Sequence, residues 1–351
     1  YAYPSKFIDP FGYNNGPRCT PQLSETACYT FGAEGMLTCL DLKTGKMIWQ
    51  RSTSQEWEIP EAFFGVGSTP LLEGNMLYVM IGGQPNSGMA ALDTKTGKTI
   101  WESVGEKNWS GVIMSGYRGE PPCQWKRDDK QASYSSPVLA TIHGRKHLLC
   151  LMRQGLVSLD PANGAVNFSF WFRSPVNESV NAMNPVVVDD LIFLSACYYK
   201  IGSALLRVHP DGKGVDLLGR SLSLEIHFTT PIYHDGFLYA FSGRNEPDAH
   251  FRCVEMRTGK IMWDRDESWM AHRQTPKVYG RGSAILADGR LIVLGEGGML
   301  GLFRLNTKEP EEISHFQVSQ LHYPSWAAPA LSNKRLYLRN EDHLVCLGLG
   351  K

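Results

Sequence analysis

The side chains best suited to chemistry are scattered through this sequence rather than gathered in one motif. Glu225 and His227 stand two residues apart in an apolar run. If that run is a strand, both point to one side, where a carboxylate and an imidazole could move a proton. The alternation fixes no shared target for them, so no catalytic residue is assigned. His227, His250, His272 and His322 offer imidazoles to a divalent cation. No two of them have a short fixed spacing, and no metal is expected. Gly295-Glu-Gly-Gly298 is glycine-rich but lacks the strand-to-helix setting of a phosphate loop, so it reads as a hairpin turn. Recognition chemistry remains. Arg18 and Arg281 carry planar cations, Tyr134 and Trp326 carry rigid rings, and such groups give much contact at little ordering cost. With Asn181, Glu225, His227 and His322 they form the expected binding set.

The elements that must position these residues announce themselves by repetition. Leu37-Thr-Cys-Leu-Asp-Leu-Lys-Thr-Gly-Lys-Met-Ile-Trp49 reads as a β-hairpin: two short apolar runs around turn chemistry. Asp41 can accept bonds from the backbone after it, and Gly45 can take the positive φ that such loops need. The hairpin returns at Ala91–Trp101, Leu159–Phe168 and Val254–Trp263. Weaker copies stand at Val208, which keeps the turn and loses the Trp, and at Leu305, which keeps only the entry strand. Upstream of each lies a second column: Pro21, Pro70, Pro137, Pro185, Pro231, Ala284-Ile285 and Pro329. A further apolar run follows each, such as Met76–Met80 or Leu291–Leu294.

Four short strands in about 50 residues, seven times over, is the pattern of a β-propeller blade. The expected fold is therefore all-β, a propeller of four-stranded blades. Its single domain covers 18–351, preceded by a segment at 1–17. The last copy stops at Lys351 where a fourth strand is called for. Either the N-terminal segment closes a seven-bladed ring or a further upstream blade makes eight. The binding set falls at the entries to the innermost strands and in the connecting loops, and is expected to face the central mouth. Long connections between the second and third strands, and between blades, gather on that side, where Trp57, Trp109, Trp125, Trp269 and Arg244 add to it.

With 42% hydrophobic and 11% aromatic residues, 351 residues can bury a core. A formal net charge of zero gives no electrostatic reason to expect nucleic acid as a partner. No apolar run reaches the length of a transmembrane span. Cys39, Cys253 and Cys346 share one repeat column and are expected to be small buried side chains, and Cys19 and Cys150 are expected within strands. Cys123 is the best candidate for an exposed or paired thiol. No Cys-x-x-Cys occurs to suggest a redox pair or structural zinc.

With its Leu-Asp-x-x-Thr-Gly-x-x-x-Trp hairpins, the chain resembles the quinoprotein-like (PQQ-repeat) β-propellers from about Arg18 to Leu347. Arg18-Cys-Thr-Pro, Tyr134-Ser-Ser-Pro-Val and Trp326-Ala-Ala-Pro resemble the bacterial branch labelled polyvinyl-alcohol-dehydrogenase-like. That branch is also similar to the scaffold protein of the outer-membrane assembly machine. Resemblance to the dehydrogenases implies pyrroloquinoline quinone (PQQ) with Ca²⁺, an adjacent-cysteine disulfide against the quinone, a Trp beneath it, and acidic and Asn ligands. Trp326, Asn181 and Glu225 are the residues here that could serve, but no adjacent cysteines exist. The leading expectation is an exported, monomeric scaffold with no cofactor, binding a protein, peptide or glycan at its long-loop face. The alternatives are a PQQ-dependent alcohol dehydrogenase with an atypical site and a metal-dependent hydrolase or lyase at the mouth.

Overall fold

A computed structural model of the chain describes all residues except 10–11, 60–63, 84–86, 105–111, 114–122, 125–131, 175, 177–178, 245–247, 269–277 and 351. The fold is a β-propeller of seven blades, each an antiparallel meander in chain order. The first blade holds β1 (Gln22–Leu23), β2 (Ala27–Phe31), β3 (Met36–Asp41) and β4 (Met47–Ser52). The second holds β5 (Leu71–Glu73), β6 (Met76–Met80), β7 (Met89–Asp93) and β8 (Thr99–Ser103). A two-stranded ribbon follows, β9 (Val112–Ile113) with β10 (Cys123–Gln124). Then come β11 (Val138–Ile142), β12 (Arg145–Leu151), β13 (Gly155–Leu159) and β14 (Val166–Trp171). The fourth blade is β15 (Val186–Val188), β16 (Leu191–Ala196), β17 (Gly202–Val208) and β18 (Val215–Ser221). The fifth is β19 (Ile232–His234), β20 (Phe237–Ser242), β21 (His250–Glu255) and β22 (Ile261–Asp266). The sixth is β23 (Ser283–Ala287), β24 (Arg290–Leu294), β25 (Met299–Arg304) and β26 (Glu312–Gln317). The seventh has three strands among the described residues, β27 (Ala330–Ser332), β28 (Arg335–Arg339) and β29 (Leu344–Gly348).

The repeated residues explain the repeated sheet. In six blades a Pro immediately precedes the first strand, the position where a missing N–H costs no ladder bond. The carboxylate of Asp41 accepts from both the backbone N and the hydroxyl of Thr44, and Asp93 treats Thr96 alike. Those bonds hold both carboxyls below the usual carboxylate range. The same bulge recurs where this turn meets the third strand, at Cys39/Leu40, Ala91/Leu92, Ser158/Leu159 and Cys253/Val254.

The Trp of each strong hairpin then docks on the next blade's turn. Trp49 Nε1 donates to Thr94 O at 2.9 Å, Trp101 Nε1 to Pro161 O at 3.1 Å, and Trp263 Nε1 to Asn306 O at 2.7 Å. Tyr29 and Tyr78 add their hydroxyls to the first two of these carbonyls. Beneath each of those two rings lies a turn glycine, Gly97 (φ +70°) under Trp49 and Gly164 (φ +73°) under Trp101. A Cβ on either would meet the indole at 2.8 or 2.5 Å. Glycine is thus required twice, for its backbone angle and for the ring above it.

Contacts divide the chain into two compact units, Tyr1–Ile192 with Arg207–Asp216, and Phe193–Leu206 with Leu217–Lys351. In the first, Leu37, Leu77, Val79 and Leu92 form the core between the first two blades, and Met80, Met89, Leu148 and Val157 that between the second and third. In the second unit, Phe251, Cys253, Leu291 and Phe303 join the fifth and sixth blades, and Leu294, Leu321 and Leu338 the sixth and seventh.

Three expectations need correction. The copy at Leu305 is complete, because the polar stretch of β26 pairs with β25 despite its lack of an apolar run. Cys19 lies in a bend ahead of β1. Cys346 is exposed, unlike Cys39 and Cys253, which lie opposite Trp49 and Trp263. Cys346 faces Tyr337 on β28 and has no outer neighbour among the described residues. The described residues of 1–17 contain no strand, as their Pro, Gly and Asn content disfavours one. Cys123 falls in β10, but its side chain is outside the described residues, as are Trp109, Trp125, Trp269 and His272.

Candidate functional site: an arginine and aromatic cluster

The turn Gly295–Gly298 between β24 and β25 is tight, with Gly298 N donating to Gly295 O at 2.9 Å. A Cβ on Gly295 would meet the Tyr279 backbone at 2.7 Å, so this close approach needs glycine. The turn sends Glu296 inward until it is fully buried. There its carboxylate accepts from Arg281 N at 2.9 Å, Arg281 Nη2 at 2.8 Å and Trp326 Nε1 at 2.9 Å. A buried carboxylate persists when paired and hydrogen-bonded, and this one is both. Arg281 Nη1 donates onward to Arg244 O at 2.9 Å, and its guanidinium lies 5.6 Å from the Trp326 ring centre. Burial works against the Arg281 charge, but Glu296 outweighs it and holds the guanidinium above its ordinary pKa.

Aromatic rings continue outward. Trp326 meets Phe228 at 5.9 Å and Tyr323 at 5.6 Å, and Phe228 meets His227 at 5.2 Å. His227 Nε2 lies 3.1 Å from the Tyr198 hydroxyl. Burial first, then Arg281 and Arg244, push this imidazole down to about 3, so it is neutral near pH 7. The Arg244 guanidinium sits 4.5 Å over Tyr198 and 5.3 Å over Tyr199, and has no carboxylate partner among the described residues. Glu225 joins through its main chain, its N donating to the Ser242 hydroxyl oxygen at 2.9 Å and its O accepting from Gly243 N at 2.8 Å. Burial raises its carboxyl, with Lys200 and Arg252 opposing.

The second unit therefore brings together His227, Arg281 and Trp326, with Glu225 beside them. His322, one residue before Tyr323, is exposed and turns instead to Asp342, its Nε2 3.2 Å from that carboxylate. His250 pairs separately with Asp264. The other expected residues lie in the first unit. Arg18 clamps the N-terminal segment through the Asp9 carboxylate, Asn14 O at 3.0 Å and Gly16 O at 3.1 Å. Tyr134 accepts Phe64 N at 3.0 Å and donates its own N to Asn181 O. Asn181 is fully buried, its amide donating to Met152 O and Phe172 O, both at 2.9 Å. A small, mostly apolar cavity of about 150 Å³ in this unit is lined by Phe7, Ile59, Val66 and Met80 and by none of the expected residues.

Glu296 is committed to three donor groups, leaving it no role as a base, while Arg244 on its tyrosine shelf suits a carboxylate or carbonyl flanked by apolar groups. The residues also fail the fit for a quinone with Ca²⁺. The amide nitrogen of Asn181 is spent on backbone carbonyls while its buried Oδ1 accepts no bond among the described residues, and Trp326 gives its edge to Glu296 with Arg281 against the ring. No adjacent cysteines exist to form the disulfide. Sequence reasoning missed Glu296, read as part of a turn, and the Tyr198-Tyr199 shelf. The one available signal was a single ionisable residue among three glycines.

Residues 14–265 match the family model described as outer membrane protein assembly factor BamB. Among solved structures the chain is similar to BamB from Moraxella catarrhalis at 15% identity and TM-score 0.60, covering 94% of this chain and 84% of that one. It is similar to the computationally designed Ika8 protein at 11% identity and TM-score 0.56, covering 96% and 85%. It is also similar to quinohemoprotein alcohol dehydrogenase from Comamonas testosteroni at 11% identity and TM-score 0.57, covering 91% of this chain and 62% of that one. At such identities the likeness concerns the fold alone. Comparison with curated protein sequences yields no match.

Proposed function

The chain belongs to the PQQ-repeat β-propeller family described as outer membrane protein assembly factor BamB, and from that premise we propose that it is an exported, non-catalytic scaffold that holds a protein partner at the arginine and aromatic cluster. The supporting observation is Arg244. A cation stacked on two tyrosines, without a carboxylate partner among the described residues, is a binding group awaiting its anion or carbonyl. Phe228 and Trp326 supply the apolar contact beside it, and the partner segment they favour carries an acidic or carbonyl group next to an apolar side chain. The buried Arg281–Glu296 pair keeps Trp326 and the main chain of Arg244 in place, so the surface is formed before the partner arrives. The cofactor-free reading is supported by Trp326, whose Nε1 is bonded to Glu296 and whose ring lies against Arg281, and by the lack of adjacent cysteines.

The reading is tested by site-specific photocrosslinking in cells of the source organism, with the probe at exposed Tyr199 or at exposed Leu42 in a blade turn. A discrete protein adduct at 199, absent at 42 and lost with Arg244→Ala, is expected. Equal adducts from both positions, or an adduct at 199 indifferent to Arg244→Ala, would overturn it.

A further inference from the structure

Independently of that reading, the seventh blade carries a group of side chains suited to a metal ion. The turn joining β28 to β29 is locked by buried Asn340, whose Oδ1 accepts Asp342 N at 3.0 Å and His343 N at 2.7 Å. Asn340 N returns a bond to His343 O at 3.1 Å. Asp342 and His343 thus project from a fixed backbone. His322 comes from the connection between β26 and β27, anchored by buried Leu321 and by the Ser325 hydroxyl on His322 O at 2.8 Å. One donor atom from each of His322, Asp342 and His343 lies within 4.8 Å of the others.

The decisive detail is the tautomer of His322. Its Nδ1 lies 3.0 Å from Tyr323 O. A backbone carbonyl only accepts, so Nδ1 carries the hydrogen and the lone pair of the neutral ring sits on Nε2. That lone pair faces Asp342 Oδ2 at 3.2 Å, acceptor against acceptor. Such a pairing is repulsive unless a proton or a cation lies between. A histidine whose far nitrogen is tied to a carbonyl is also the usual arrangement of a metal ligand. Tetrahedral ligands about 2.0 to 2.1 Å from Zn²⁺ stand roughly 3.3 Å apart, close to the 3.2 Å between His322 Nε2 and Asp342 Oδ2.

Other histidine–aspartate contacts lack this completeness. His209 with Asp216 and His234 with Asp235 are two-membered, and Asp264 beside His250 is already taken by Arg252. We propose that His322, Asp342 and His343 bind a borderline divalent cation, with Zn²⁺ the best match to two imidazoles and one carboxylate. The site is open, His322 and Asp342 being 59% and 63% exposed. Three protein ligands leave a fourth position for water or for a donor from a partner.

The full chain is to be titrated calorimetrically with ZnCl₂ in a non-chelating buffer, and with Co²⁺ while following visible absorbance. One equivalent should bind, and Co²⁺ should give the intense bands of low coordination number. His322→Ala, Asp342→Asn and His343→Ala should each weaken binding by roughly tenfold or more, whereas His234→Ala should not. His322, Asp342 and His343 are exposed and His234 is half-buried, and an unchanged thermal midpoint without metal confirms the fold of each variant. No uptake, or uptake that survives His343→Ala, would overturn the assignment.

Discussion

At the scale of single residues, the Arg281–Glu296 pair decides most. Arg281 would read as a surface binding cation from its place at a strand entry, but it is 13% exposed and faces a carboxylate with no exposure. Arg281→Ala leaves that charge buried and uncompensated, which costs about 3 to 5 kcal/mol. Arg281→Met with Glu296→Leu should cost clearly less than either single change in urea unfolding. Equal losses would show that the pair does not act as a unit. Glu267 supplies a pH test. It is fully buried, and desolvation raises its carboxyl from 4.5 to about 7, with Arg265 opposing. The folded state therefore holds a proton that the unfolded chain releases. That contribution is present below about pH 4.5 and is lost as pH rises through about 7. Glu267→Gln should flatten this limb of the stability profile, and an unchanged slope would refute the assignment. His227, Arg281 and Trp326 sit at corresponding places in the repeat, but so do Arg18, Tyr134 and Asn181, so repeat position alone did not single out the three that meet. It did not show which cation would be paired with a buried carboxylate, since that depends on Glu296 arriving from the turn between β24 and β25.

At the scale of elements, the docking of each Trp on the next blade makes a controlled comparison possible. Gly45 and Gly164 occupy the same turn position with φ of +68° and +73°, yet a Cβ on Gly45 meets nothing within 4 Å while one on Gly164 meets Trp101 at 2.5 Å. Gly45→Ala should cost about 1 kcal/mol, the price of the left-handed backbone. Gly164→Ala adds overlap with a packed ring and should cost about 3 kcal/mol in total, measured by denaturant midpoint. Equal costs would mean that the ring moves away freely. The hairpins were legible because turn chemistry and aromatic column are local properties. Strand β26 was not, since Glu312–Gln317 has no apolar signature and owes its conformation to pairing with β25. The fourth blade was legible only in part: its turn lacks a preceding Trp column, and Ser223 meets Gly259 O at 2.5 Å where a ring would otherwise lie.

At the scale of the whole molecule, repetition predicts a repeated stability profile with one exception. In stacked-repeat proteins each unit is held by its own strands and its neighbours, so local burial sets local opening. Strand β13 is buried along its entire length, and β7 nearly so. Strand β29 has no buried residue, and its Leu344 is 72% exposed. Five of the seven first strands have only two or three residues, as in Gln22–Leu23 and Leu71–Glu73. Hydrogen exchange of the intact chain should therefore protect second and third strands most, and leave first strands weakly protected. The seventh blade should depart from that periodicity: β28, whose Leu336 and Leu338 are buried, should outlast β29, which should exchange at least tenfold faster than β13. Saturation of the His322, Asp342 and His343 group with Zn²⁺ should slow exchange in β28 and β29 by mass action and leave β13 unchanged. Protection of β29 equal to that of β13 in the absence of metal would show that its exposed face is covered in solution. The burial pattern would then be a poor guide to local stability here.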